Sequence, residues 1–100
     1  MCKSDLLNEI FTLIRVETEV PKEEILSKSR TIEVVDARYL LVYFLSHYAG
    51  FSANVIAKEL SITPQAVAQI LRNFDLRRKQ SGKFFEITFN RISNALKNNQ

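Results

Sequence analysis

Between Thr63 and Asn73 the sequence TPQAVAQILRN places Gln65, Ala66, Gln69, Arg72 and Asn73 at spacings that share one side of a helix. A glutamine amide can pair with the N6 and N7 edge of an adenine, an alanine can touch a thymine methyl, and an arginine at the end of the row can reach a phosphate. So uncharged and amide-rich a face is uncommon on a surface helix. Its chemistry suits the major groove of double-stranded DNA, with Gln65, Ala66 and Gln69 against base edges and Arg72 and Asn73 against the backbone. Thr63 is a good N-cap and Pro64 a good first helical residue. The N–H groups at Thr63 and just beyond are placed to meet a phosphate oxygen with the help of the helix dipole.

Such a face needs a scaffold, and residues 53–72, ANVIAKELSITPQAVAQILR, have the spacing of a helix-turn-helix. Ile56 and Leu60 turn inward from the first helix, Ile62 plugs the turn, and Val67 and Ile70 anchor the second helix. Ala57 is small where the two helices must cross. Ser61 occupies the turn position often held by glycine. Two short amphipathic helices with a three-residue turn also occur in bundles that bind no nucleic acid. Here the five inward positions and the Thr-Pro start agree with one another.

The rest of the chain reads as helices joined by short loops. Ser4 can cap a first helix with the apolar stripe Leu6, Leu7, Ile10, Phe11 and Ile14. Val20-Pro21 ends it, and Pro21 suits the N1 position of a short helix at about 21–27. Ser27-Lys28-Ser29-Arg30-Thr31 makes a polar, basic loop. Residues 32–48 are apolar around most of a helical circumference, as in the centre of a bundle, and Gly50 sits where a helix C-terminus wants it. A strand of that length is far too long. The spacing predicts helices at about 53–60 and 64–73. A final helix is expected at about 83–97 from Phe85, Phe89, Ile92 and Leu96, although Phe85, Ile87 and Phe89 also alternate as in a strand. The expected fold is therefore all-α, a compact domain of about six helices over residues 1–100.

The chain has 100 residues, 46% apolar and 25% charged, which suits one core. No run approaches a membrane span, and the N-terminus lacks a signal-peptide pattern. The single cysteine, Cys2, excludes an internal disulfide framework and points to a free thiol in a reducing cytoplasm. Residues 1–50 carry six Lys/Arg against eight Asp/Glu, and residues 51–100 carry eight against three, so the basic charge is concentrated in the second half. That half points to an anionic partner, nucleic acid first. Lys58, Arg77, Arg78, Lys79 and Lys83 are candidates for phosphate contact by counterion release. His47 has no second histidine and is expected to be packed. Glu33 and Asp36 fit the dipole preference of a helix start better than acid–base chemistry. No Gly-rich phosphate loop, paired His or activated Ser/Cys pattern appears, so neither an enzyme nor a cofactor is expected.

The run ILSKSRTIEVVDARYLLVYFLSHYAGFSANVIAKEL, residues 25–60, resembles the C-terminal DNA-binding domain, domain IV, of the bacterial chromosomal replication initiator DnaA. In that family a Ser-Lys-x-Arg loop leads into a long helix with an Arg in its first turns, followed by a helix-turn-helix. The matching positions are Ser27, Lys28 and Arg30, then Arg38, then residues 52–72. The helices before and after follow the same plan. The resemblance implies a Trp-repressor-like fold and binding by two hands, the recognition helix in the major groove and Arg30 in the adjacent minor groove. Narrow A·T-rich minor grooves attract such an arginine. It also implies phosphate contacts for Lys28 and Arg38.

This sequence departs from the family where bases are read. The family's recognition helix opens Asp-His-Thr-Thr-Val, whereas this chain has Thr63-Pro64-Gln65-Ala66-Val67, and only the valine is shared. The preceding Gly-Gly-Arg is reduced to Ser61-Ile62. The family's target sequence therefore does not carry over, and the chain has no room for the initiator's ATPase domain. The expected function is double-stranded DNA binding in replication initiation or transcriptional regulation. The alternative is a protein-interaction module that keeps the helix-turn-helix and has lost its DNA contact.

Overall fold

The computed structural model describes residues 3–98, which form six α-helices with no strand among them. Helix α1 spans Lys3–Thr18, α2 Lys22–Ile25, α3 Ile32–His47, α4 Ala53–Leu60, α5 Pro64–Gln80 and α6 Gly82–Asn98. The expectation for Cys2 lies outside the described residues. Helix α1 already includes Lys3, so Ser4 lies within its first turn rather than ahead of it.

Helix α3 is the axis. Val34, Ala37, Leu40, Leu41, Val42, Phe44 and Leu45 are all buried, so the helix has scarcely a polar side. It packs on α1, α2, α4 and α5, and α6 closes against α1 and α5. One continuous buried cluster takes residues from all six helices, Ile10 and Ile14 to Ile92 and Leu96. Each fully buried Leu or Ile contributes about 1.5–3 kcal/mol against the entropy of ordering the chain. Helix α3 ends at His47, and the turn that follows runs through Gly50, whose φ of 74° suits a residue without Cβ, while the Phe51 N–H returns to the Leu45 carbonyl at 2.9 Å.

Three boundaries differ from the sequence expectation. Pro21 lies before α2 rather than at its first position, and α2 stops at Ile25 because the Ser27 hydroxyl takes the Glu24 carbonyl at 2.6 Å. Helix α5 does not end near residue 73 but runs to Gln80. Phe74 continues its buried stripe, and nothing breaks the helix before Ser81 and Gly82, whose φ of 77° separates α5 from α6. The last segment is wholly helical. Its Ile87 is 52% exposed while Phe85 is buried, so the strand-like alternation reflects only the edge of the helix's apolar face.

An aromatic cluster fixes α5 and α6 against α3. The ring of Tyr43 stacks on Phe74 with centroids 4.4 Å apart, and Phe89 lies 5.2 Å from both Tyr43 and Phe44. His47, expected to be packed, is exposed, with its ring lying 4.5 Å from that of Tyr43. The helix end at Tyr48 leaves its other side open to solvent. No helix among the described residues is long and apolar enough to cross a membrane.

Candidate nucleic-acid interface

Helices α4 and α5 form a unit with its own closure. Ser52 caps α4 by accepting from the Val55 N–H at 3.3 Å. At the other end Ser61 takes the left-handed conformation, φ 57° and ψ 40°, and the Ile62 N–H reaches back to the Ala57 carbonyl at 3.0 Å. Thr63 then caps α5, its hydroxyl accepting from the Ala66 N–H at 3.1 Å, with Pro64 at the helix start. Ile56, Ala57, Leu60, Val67 and Ile70 are buried, and Ile62 is half-buried against them. That burial fixes which side of α5 faces out. Gln65, Gln69 and Arg72 are exposed in one row, Thr63 is exposed at its head, and Ala66 and Asn73 are half-buried along its edge. At the helix opening beside this row Pro64 has no N–H and the Ala66 N–H is given to Thr63, which leaves the Gln65 N–H without an intrahelical acceptor. Lys58 is exposed on α4 just before the turn.

The basic loop between α2 and α3 is built differently. Its Ser27, Ser29 and Thr31 bond among themselves: the Ser29 N–H donates to the Ser27 hydroxyl at 3.2 Å, and the Ser29 and Thr31 hydroxyls are 3.4 Å apart. Lys28 and Arg30 are exposed between them. Behind the loop, Arg38 from the second turn of α3 donates Nε to the Ile25 carbonyl at 3.1 Å and Nη2 to the Ser27 carbonyl at 2.7 Å. Longer contacts of 3.4 and 3.5 Å reach the Ser29 carbonyl. Burial, and then the neighbouring charge of Arg30, lower the Arg38 pKa, and an arginine keeps its proton regardless.

Two of the arginines read as phosphate candidates are committed elsewhere. Arg77 donates Nε to Asp36 at 2.7 Å, and Ser81 donates to the same carboxylate oxygen at 3.2 Å. Arg78 makes a forked pair with Glu86, Nε to Oε1 at 2.8 Å, while its guanidinium lies 4.2 Å from the centre of the Phe89 ring. Asp36 is thus a tie between α3 and the end of α5 rather than a residue serving only the helix dipole. Its partners lie more than forty positions away, so local spacing carries no signal for them. The Arg38 bonds were equally hidden, because their acceptors are main-chain carbonyls. Lys28, Arg30, Lys58, Arg72, Lys79 and Lys83 are exposed and show no ion pair among the described residues.

The Asp36–Arg77 tie also joins the second turn of α3 to α5. It lies towards the C-terminal end of that helix, whereas Gln65 stands at its start. The dozen residues between Gln65 and Arg77 span roughly 18 Å at 1.5 Å per residue.

The geometry defines an all-helical domain with a capped two-helix unit, an outward row of amides and a braced basic loop. A stretch of 79 residues, 78% of the chain, is 30% identical to the chromosomal replication initiator protein DnaA of Nautilia profundicola, and spans 18% of that protein's length. No protein-family model matches the chain. No solved structure matches it.

Proposed function

We propose that the chain is a double-stranded-DNA-binding module of the kind found in the C-terminal domain IV of DnaA, acting in replication initiation or transcriptional regulation. The helix-turn-helix is α4, the Ser61–Thr63 turn and α5, with the start of α5 in the major groove. Gln65, Ala66 and Gln69 contact bases. Thr63, Arg72, Asn73 and Lys58 contact phosphates. The loop carries Lys28 to the backbone and Arg30 to the neighbouring minor groove.

The observation that carries this reading is the exposed row of Gln65, Gln69 and Arg72 on a helix whose other side is core and whose N-terminus is capped by Thr63. The similarity to part of a replication initiator supports the same partner.

The test begins with selection of bound duplexes from a random pool, followed by titration of the selected duplex and of mixed-sequence DNA. Gln65→Ala or Gln69→Ala should lower discrimination between them about tenfold or more and leave mixed-sequence binding nearly unchanged. Equal losses on both DNAs would remove the base-reading assignment. No binding of any duplex at roughly 100 µM protein in low salt would remove the DNA reading altogether and favour a protein-docking surface.

A further inference from the structure

We infer that Arg38 is a positioning residue, holding the 27–31 loop in the one shape that presents Lys28 and Arg30 outward, rather than a phosphate contact in its own right. The claim rests on the proposed DNA reading for its functional half, since it concerns how the minor-groove hand of that site is held.

The hydrogen bonds come first. The carbonyl of Ile25 is the last of α2, a short helix whose final carbonyls have no intrahelical donor. Arg38 supplies one, and with the same guanidinium it takes the Ser27 carbonyl two residues on and approaches that of Ser29. One planar fork therefore serves acceptors at alternating positions, Ile25, Ser27 and Ser29. Ser29 is half-buried, and the Ser29 and Thr31 hydroxyls bond each other. Lys28 and Arg30, the intervening positions, are exposed. Charge acts in the same direction. The Arg38 guanidinium lies behind the loop near enough to feel Arg30, so Arg30 gains nothing by folding back and is repelled towards solvent. The bonds of Arg38 to the loop leave its charge half-buried, with its donors directed at main chain rather than at a surface ligand.

Lysine cannot replace this fork. A single ammonium keeps the charge but has no planar set of donors to span three carbonyls. Arg38→Lys therefore separates the two roles: a phosphate contact survives it in large part, and a loop brace does not.

The experiment has a part without DNA and a part with it. Hydrogen exchange at the Ser29 and Thr31 amides is compared in the full chain and in Arg38→Lys and Arg38→Ala, with the amides of α3 and α5 as an internal measure of folding. Both variants should exchange at least tenfold faster in the loop while α3 and α5 keep their protection. Unchanged loop exchange overturns the inference whether or not the chain binds DNA. On the selected duplex, Arg30→Ala, Arg38→Lys and the double variant form a cycle. With Arg38 acting through Arg30, adding Arg38→Lys to Arg30→Ala should cost less than about twofold further affinity, against a loss of about fivefold or more in the wild-type background. Losses that multiply, with Arg38→Lys close to wild type and Arg38→Ala lowering the salt slope by about one, make Arg38 a phosphate contact and overturn it. A chain that binds no duplex sinks the DNA reading alone, and the exchange result still decides whether Arg38 holds the loop.

Discussion

Ser61 shows how much one backbone angle matters here. It sits at φ 57° between α4 and α5, a region that costs a residue with a Cβ about 1 kcal/mol or more relative to glycine. Ser61→Gly should therefore stabilise the chain by about 1 kcal/mol, read as a higher urea midpoint with unchanged slope. Two residues later, Thr63 caps α5, and Thr63→Ala should cost about 1 kcal/mol in the same assay. Both positions were legible in the sequence, because turn and cap preferences are local. The roles of Arg38, Arg77 and Arg78 were not. An isolated arginine in a sequence looks the same whether it faces a phosphate, a carboxylate or a carbonyl, and only the chain's return path decides.

At the scale of elements, the pairings of helices rest on a few polar ties laid over apolar contact. The start of α3 is joined to the end of α5 by Asp36, which receives both Arg77 and Ser81. Asp36→Ala should destabilise by about 1 kcal/mol, a partly exposed pair lying above the usual surface value because two donors lose their acceptor. Equal unfolding midpoints for the two proteins would show that the aromatic stack alone holds α5 in place. The Arg78–Glu86 pair bridges α5 and α6, and its hydrogen bond holds the Glu86 carboxyl below the usual carboxylate range. A carboxylate whose pKa is depressed in the folded state stabilises it above its unfolded value, near about 4.3, and loses that contribution as pH falls through the lower folded value. Thermal midpoints of the wild type should thus fall more steeply in that acid window than those of Glu86→Gln, and parallel curves would refute the linkage. Most helix identities were readable from apolar spacing, and that of α3 from its length and the Gly50 that follows it. The extension of α5 from 73 to 80 was not, because residues 75–80 are mostly polar and owe their helicity to Phe74, Arg77 and Arg78 meeting α3 and α6.

Over the whole molecule, the charge available to a polyanion is smaller than the residue count suggests. Arg77, Arg78 and, at 3.8 Å, Arg91 each face a carboxylate. If Lys28, Lys58 and Arg72 meet phosphates and Arg30 adds its charge from the minor groove in the proposed complex, log affinity against log salt should fall with a slope of about −3 to −4. A slope near −7 would mean that the internally paired arginines open onto the DNA. The fold itself depends on the axis: Leu41→Ala, at the centre of α3 and fully buried, should cost about 3 kcal/mol in chemical denaturation. The rings around that axis also equip the protein with native optical probes. It has three tyrosines and no tryptophan to mask their emission. Tyr39 lies under the Arg77 guanidinium, Tyr43 between Phe74 and His47, and Tyr48 donates its hydroxyl to the Leu96 carbonyl at 2.9 Å. Replacing two of the three with phenylalanine leaves a single fluorophore at a known seam. Its ultraviolet signal then tells whether that seam loosens ahead of the rest of the protein, with no dye attached.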